Sequence, residues 1–142
     1  MKRFELIEHT ADVGIHGSGS SLSEAFEAAA EGLFSILVNP SGVRVGRCHP
    51  IQVAAPTAEA LLVEWLSELL AQCELTGDVF ASFEAAIEGG PSSGYRIEGK
   101  ACGEPLDATK HDLGTEVKGI SYLGLEVVQT PDRCSVRCVV DV

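Results

Sequence analysis

"VFASFEAAI", Val79 to Ile87, is where the chain changes period. Val79, Ala81, Phe83, Ala85 and Ile87 fall on alternate positions, as the pleat of a half-buried strand requires. Upstream the spacing is different. In "SLSEAFEAAAEGLFSILV" (Ser21–Val38), Leu22, Phe26, Ala29, Leu33 and Leu37 recur at helical spacing and make one apolar stripe. Ser21, with Glu24 three residues on, is a capping box that opens this helix. "NPSG" (Asn39–Gly42) closes it, because Pro40 disfavours helical geometry at Asn39 and Gly42 permits a turn.

Working outward, Ile51–Ala55 reads as a strand. Thr57 caps "AEALLVEWLSELLAQC" (Ala58–Cys73), whose Leu61, Leu62, Trp65, Leu66, Leu69 and Leu70 form a second apolar face. Beyond Ile87 everything points to strands. "GGPSSG" (Gly89–Gly94) is a hairpin loop, and Tyr95, Ile97 and Ala101 alternate after it. A long strand centres on Ile120–Val128, "TPDR" (Thr130–Arg133) turns the chain, and Cys134–Val142 is a closing strand. At the other end Phe4–Glu8 reads as a first strand. Two helices among strands predict an α+β fold, with an antiparallel or mixed sheet carrying the helices.

A length of 142 residues predicts a single domain over 1–142. No apolar run is long enough for a transmembrane helix, and the N-terminus lacks the apolar core of a signal peptide, so the expected location is cytoplasmic. Charge decides more. Twenty-one carboxylates against ten Lys and Arg leave a net −11. Phosphate contacts supply most of the affinity for nucleic acid and come from basic side chains, so tight direct binding of RNA or DNA is disfavoured. Cations or a basic protein surface suit this field. Five cysteines (Cys48, Cys73, Cys102, Cys134 and Cys138) show no Cys-x-x-Cys spacing and read as buried, reduced thiols rather than a metal or redox set.

Four polar positions are not explained by a core. Asp12 lies in "HTADVGI" (His9–Ile15), and Asp141 ends the apolar strand Val139–Val142. Asp12 is either an Asx-turn before Gly14 or a cation ligand; Asp141 is either a solvated terminus or a ligand. Brought together, the two would need a cation to relieve their repulsion. Asn39 ends the first helix, and His111 opens a polar stretch running to Glu116 and Lys118. His9 and His111 have no Ser-His-Asp context, and neither a nucleophile elbow nor a Walker-type phosphate loop is present. Nothing in the sequence demands catalysis.

In this order, "HTADVGI", the capped first helix, "LLVEWLSELL" (Leu61–Leu70), "GEPLDATKHDLGTEVKGISY" (Gly103–Tyr122) and the terminal "VVDV" (Val139–Val142) resemble the archease family from about Phe4 to Val142. The resemblance implies a two-layer fold and an accessory role to the RtcB-type RNA ligase. Family members promote guanylylation of the ligase histidine and allow multiple turnover in tRNA splicing and RNA repair. They are not themselves ligases, and this chain is expected not to be an enzyme. The resemblance also implies a site for Ca²⁺, or another divalent cation such as Mg²⁺ or Mn²⁺, at Asp12 and Asp141 with the main-chain oxygen of Val142. Its third side-chain ligand, an Asp in the family, falls on Asn39, which lacks the negative charge. His9, His111, Glu116 and Lys118 are the candidates for partner contact, and RNA is reached only through the ligase. Leu123 stands where the family often has His after Tyr. Two rival readings follow: a chaperone or modulator of a tRNA-modifying enzyme, which would not depend on Asp12, and a metal-dependent hydrolase, which would turn over alone. The second is disfavoured because these residues supply no obvious base.

Overall fold

The structure is a computed structural model that describes residues 2–8 and 12–142. In chain order it contains β1 (Arg3–Glu8), β2 (Asp12–Gly19), α1 (Leu22–Leu37), a 3₁₀ turn at Pro40–Gly42, β3 (Arg47–Ala55), α2 (Ala58–Thr76), β4 (Asp78–Gly90), β5 (Gly94–Pro105), β6 (Gly119–Gln129) and β7 (Cys134–Asp141). The strands form two sheets, ordered β1-β2-β7-β6 and β3-β5-β4. Every described pairing is antiparallel, so the sheets are not mixed.

The helices begin where their caps place them. Ser21 Oγ accepts from the Glu24 N–H at 3.1 Å and Thr57 Oγ1 from the Ala60 N–H at 3.1 Å. The Glu24 carboxylate reaches back one residue further than a capping box would, accepting from both the N–H and the hydroxyl of Ser20 at 2.8 Å. α1 lies against β2, β4 and β7, and α2 against β3 and β6, so the helical layer spans both sheets. One apolar core joins Phe26, Leu33 and Phe34 of α1 with Leu62, Trp65 and Leu66 of α2 and with the inward faces of both sheets. Gly17 permits this closeness. A Cβ there would lie 2.7 Å from the Ala25 carbonyl oxygen and 2.8 Å from the Ala29 nitrogen.

Two strands depart from their expected form. β3 begins at Arg47 rather than Ile51 and carries Pro50 in its interior. Proline removes a ladder donor, which argues against a strand in sequence, but β3 is an edge strand and tolerates the loss. In β4 the alternation breaks at a bulge between Phe80 and Ser82. Phe83 and Ala85 face inward as expected, whereas at the bulge Phe80 takes the core place against Phe34, their ring centroids 5.4 Å apart. Val79 instead packs with Val38 and Val43 in a small second cluster.

The cysteines require a correction. Cys48 of β3 and Cys102 of β5 are register partners with Cα atoms 4.0 Å apart, and they form a disulfide. The expectation of free thiols holds for Cys73, Cys134 and Cys138, the last two buried on one face of β7. The bonded pair lies 54 positions apart, a spacing that carries no signal until the register is known.

Candidate functional site

β2 and β7 are neighbours, and their register sets Asp12 directly opposite Asp141. Residues paired across a ladder point to the same face. Inward on β7 are Cys134, Val136, Cys138 and Val140, all buried, so Asp141 and its partner Asp12 lie on the outer face. Like charges directly opposite one another on a sheet are destabilising unless compensated. Asp12 is half-buried and Asp141 exposed. On its far side Asp141 is opposite Gly119 of β6, which offers no side chain to cover the pair.

The segment between β5 and β6 frames this end of the sheet. Asn39 donates its N–H to the Asp112 carbonyl at 2.9 Å, and Gly114 and Thr115 donate to the Leu37 and Ile36 carbonyls at 2.9 and 2.8 Å. Its far end is tied to the site itself, because the Lys118 N–H donates to the Asp141 carbonyl at 2.7 Å. Residues 112–118 therefore run from the C-terminal end of α1 to the acidic pair. Glu116 and Lys118 are exposed along this path and Val117 is buried beneath it.

Asn39 and His111 turn out to be engaged otherwise. Asn39 Oδ1 accepts from the Ser41 N–H at 3.2 Å and from the Ser41 hydroxyl at 2.9 Å, which caps the 3₁₀ turn and occupies the amide oxygen. His111 has a fully covered side chain. Its Nδ1 accepts from the Asp107 N–H at 2.9 Å, which puts the ring proton on Nε2, 3.0 Å from Glu104 Oε2. The ring is a brace inside the loop and offers no surface to a partner. His9 lies outside the described residues. Among the described residues, no three His, Cys, Asp or Glu side chains converge as a metal cluster. What the register brings together is the Asp12–Asp141 pair, with Val142 next in the chain.

Glu104 is the residue of this region that sequence reasoning missed. It accepts from the Arg44 N–H at 2.7 Å, from the Lys110 ammonium at 2.6 Å and from the His111 ring. These three donors, the Arg44 N–H foremost, hold its carboxyl down at about 2 from an ordinary 4.5. A depressed carboxyl stabilises the fold fully above its ordinary value, and that stability is lost as pH falls toward the folded value. The melting temperature should therefore fall between about pH 4.5 and 2, and Glu104→Gln should flatten that limb. An unchanged acid limb in Glu104→Gln would remove Glu104 from this role. Its only sequence signal was a carboxylate seven residues before a histidine, which is too weak to act on.

A buried carboxylate, Asp78, lies away from the pair. Asp78, 1% exposed, accepts from His49 Nε2 at 2.7 Å and sits 3.3 Å from Arg47 Nε, while its Oδ1 has no partner among the described residues.

Comparison with known proteins now bears on this arrangement. Residues 4–142 match the Archease protein family. The protein archease of Thermococcus gammatolerans is 44% identical over 132 residues, covering 93% of this chain and 92% of the relative. That of Pyrococcus abyssi is also 44% identical with the same coverage. In structure, the chain is similar to protein 1598 of Methanobacterium thermoautotrophicum, with a TM-score of 0.81, 25% identity and 98% of each chain covered. A Thermotoga maritima archease, described as a possible chaperone, shares the fold with a TM-score of 0.57 at 19% identity, covering 96% of this chain and 94% of its own. Among the described residues no helix is long and apolar enough to cross a membrane. On the match across residues 4–142 and the 44% identity over nine-tenths of both chains, this chain belongs to the archease family.

Proposed function

We propose that this chain is a cation-binding accessory protein that activates an RtcB-type RNA ligase. The observation that carries the reading is Asp12 standing opposite Asp141 on the open face of the sheet, in a chain of the archease family. Two carboxylates side by side are a hard-oxygen donor set, suited to Ca²⁺ and also to Mg²⁺ or Mn²⁺. Asp12, Asp141 and the Val142 main-chain oxygen would hold the cation, which supplies neutralisation of the paired negative charge. With the Asn39 oxygen engaged by Ser41, the protein's donor set is short, and water or a partner's groups complete it.

The chain contributes no atom to the reaction it promotes. In guanylylation the ligase histidine forms a bond to the α-phosphorus of GTP while the bond to the β-phosphate breaks, and pyrophosphate leaves. The role of Asp12 and Asp141 is to present an acidic, cation-holding edge to the basic active-site region of the ligase. A net −11 favours approach to such a surface and disfavours RNA itself, so RNA is met only through the ligase.

The test is an RNA-joining assay with the ligase well below its substrate, with and without this chain. Multiple turnover should appear only with the chain present. Asp12→Ala should weaken activation on the order of 10–100-fold, the scale on which metal sites respond to loss of supporting residues. Full activation by Asp12→Ala would end the cation-site reading. Suppression of client aggregation that ignores Asp12, without ligase activation, would favour a chaperone of a tRNA-modifying enzyme.

A further inference from the structure

We infer that the bulge of β6, with Tyr122 and Leu123 at its crest, is the apolar anchor by which this chain seats on a basic surface of its protein partner. The inference rests on the ligase-activator reading above and gives that reading a docking surface.

β6 and β7 pair in register at Ser121 opposite Val139 and again at Glu126 opposite Arg137. Four residues of β6, Tyr122 to Leu125, therefore stand against the single residue Cys138 of β7. The excess chain has to leave the sheet plane. Leu125 turns back to pack on the core, whereas Tyr122 is 63% exposed and Leu123 79% exposed. The two adjacent side chains make a small apolar patch, a surface that a partner can cover.

The bulge is held in shape. Ser121 Oγ accepts from the Leu123 N–H at 3.0 Å, and Gly124 adopts φ +75°, which a side chain would disfavour. A Cβ on Gly124 would lie 3.5 Å from Val139 Cγ2, so the bulge leans over the outward-facing Val139. A backbone already held in shape need not be ordered on binding, which suits an anchor.

Position chooses the partner. Gly119, opposite Asp141, lies two residues before Ser121, about 7 Å along the strand. The crest therefore stands on the same outer face as the Asp12–Asp141 pair and beside it. Glu116 and Glu126 are exposed in the chain on either side, with Lys118 and Arg137, the latter the register partner of Glu126, as described cations beside them. An apolar crest at an acidic rim complements a basic protein surface with an apolar recess. Long-range attraction would bring the faces together and the crest would fix their register.

The experiment titrates the full chain into the RtcB-type ligase and reads the concentration giving half-maximal turnover. A Tyr122→Ser/Leu123→Ser variant should raise that concentration at least about tenfold while approaching the same maximal turnover, a loss typical of an interface anchor. Leu75→Ser serves as control, because Leu75 on α2 is equally exposed, at 80%, and should change nothing. Matching thermal melts show that the variants fold. Activation by the wild-type chain with an unchanged half-maximal concentration in the double variant overturns the docking surface alone. No activation by the wild-type chain overturns both readings. If sedimentation shows a wild-type dimer that the double variant dissolves, the crest belongs to a second copy and the inference fails.

Discussion

Replacing Trp65 by alanine is expected to lower the free energy of unfolding by about 3–5 kcal/mol, the range for truncating a buried aromatic. Trp65 is fully buried in α2, and its Nε1–H donates to the Phe26 carbonyl of α1 at 3.0 Å. It therefore fills the core between the helices and ties one to the other. Deleting the indole removes apolar burial, opens a cavity and loses a hydrogen bond in a site closed to water. Trp65→Phe separates these contributions. It keeps most of the volume and should cost about 0.5–1.5 kcal/mol, near the net worth of one hydrogen bond, because the Phe26 carbonyl keeps its partner within α1. Urea titration of the three proteins checks the order. A Trp65→Ala loss below that of Trp65→Phe would show that the indole is not what joins the helices.

Reducing the Cys48–Cys102 disulfide should lower stability by about 2–4 kcal/mol. The bond joins positions 54 apart and closes a loop that contains all of α2 and β4, so in the oxidised chain the unfolded ensemble is strongly restricted. Cys48→Ser should reproduce the loss without reductant, and reductant should then add nothing. Thiol titration of the unfolded, unreduced chain should find three free cysteines, Cys73, Cys134 and Cys138. Five titrating thiols, or a urea midpoint indifferent to reductant, would show that the strands pair there without the bond. The bond also steadies the strand carrying Arg47 and His49, which face the buried Asp78 carboxylate.

Local chemistry was legible in the sequence wherever neighbours along the chain decide the outcome. Ser21 and Thr57 open their helices because a cap needs only a hydroxyl three residues before a free N–H. Asn39 and Pro40 end α1 for an equally local reason. The switch of period at Val79 separated strands from helices, and the charge of −11 spoke against tight direct nucleic-acid binding. The order of motifs along the chain also carried the family.

Register and close approach belonged to the tertiary structure. Only the pairing of β2 with β7 sets Asp12 opposite Asp141, 129 positions apart in the chain. Only the pairing of β3 with β5 joins Cys48 to Cys102. The bulge that lifts Tyr122 and Leu123 needs β7 beside it to exist at all, and the one in β4 moves Phe80 into a place that alternation had reserved for its neighbours. His111 could not be told from a surface histidine until Glu104 and the Asp107 N–H were seen to enclose its ring. The reason is common to all of these. A cap or a period is an energy between residues a few positions apart, whereas a pairing, a brace or a disulfide has its energy settled by chain segments that meet only once the whole fold has closed.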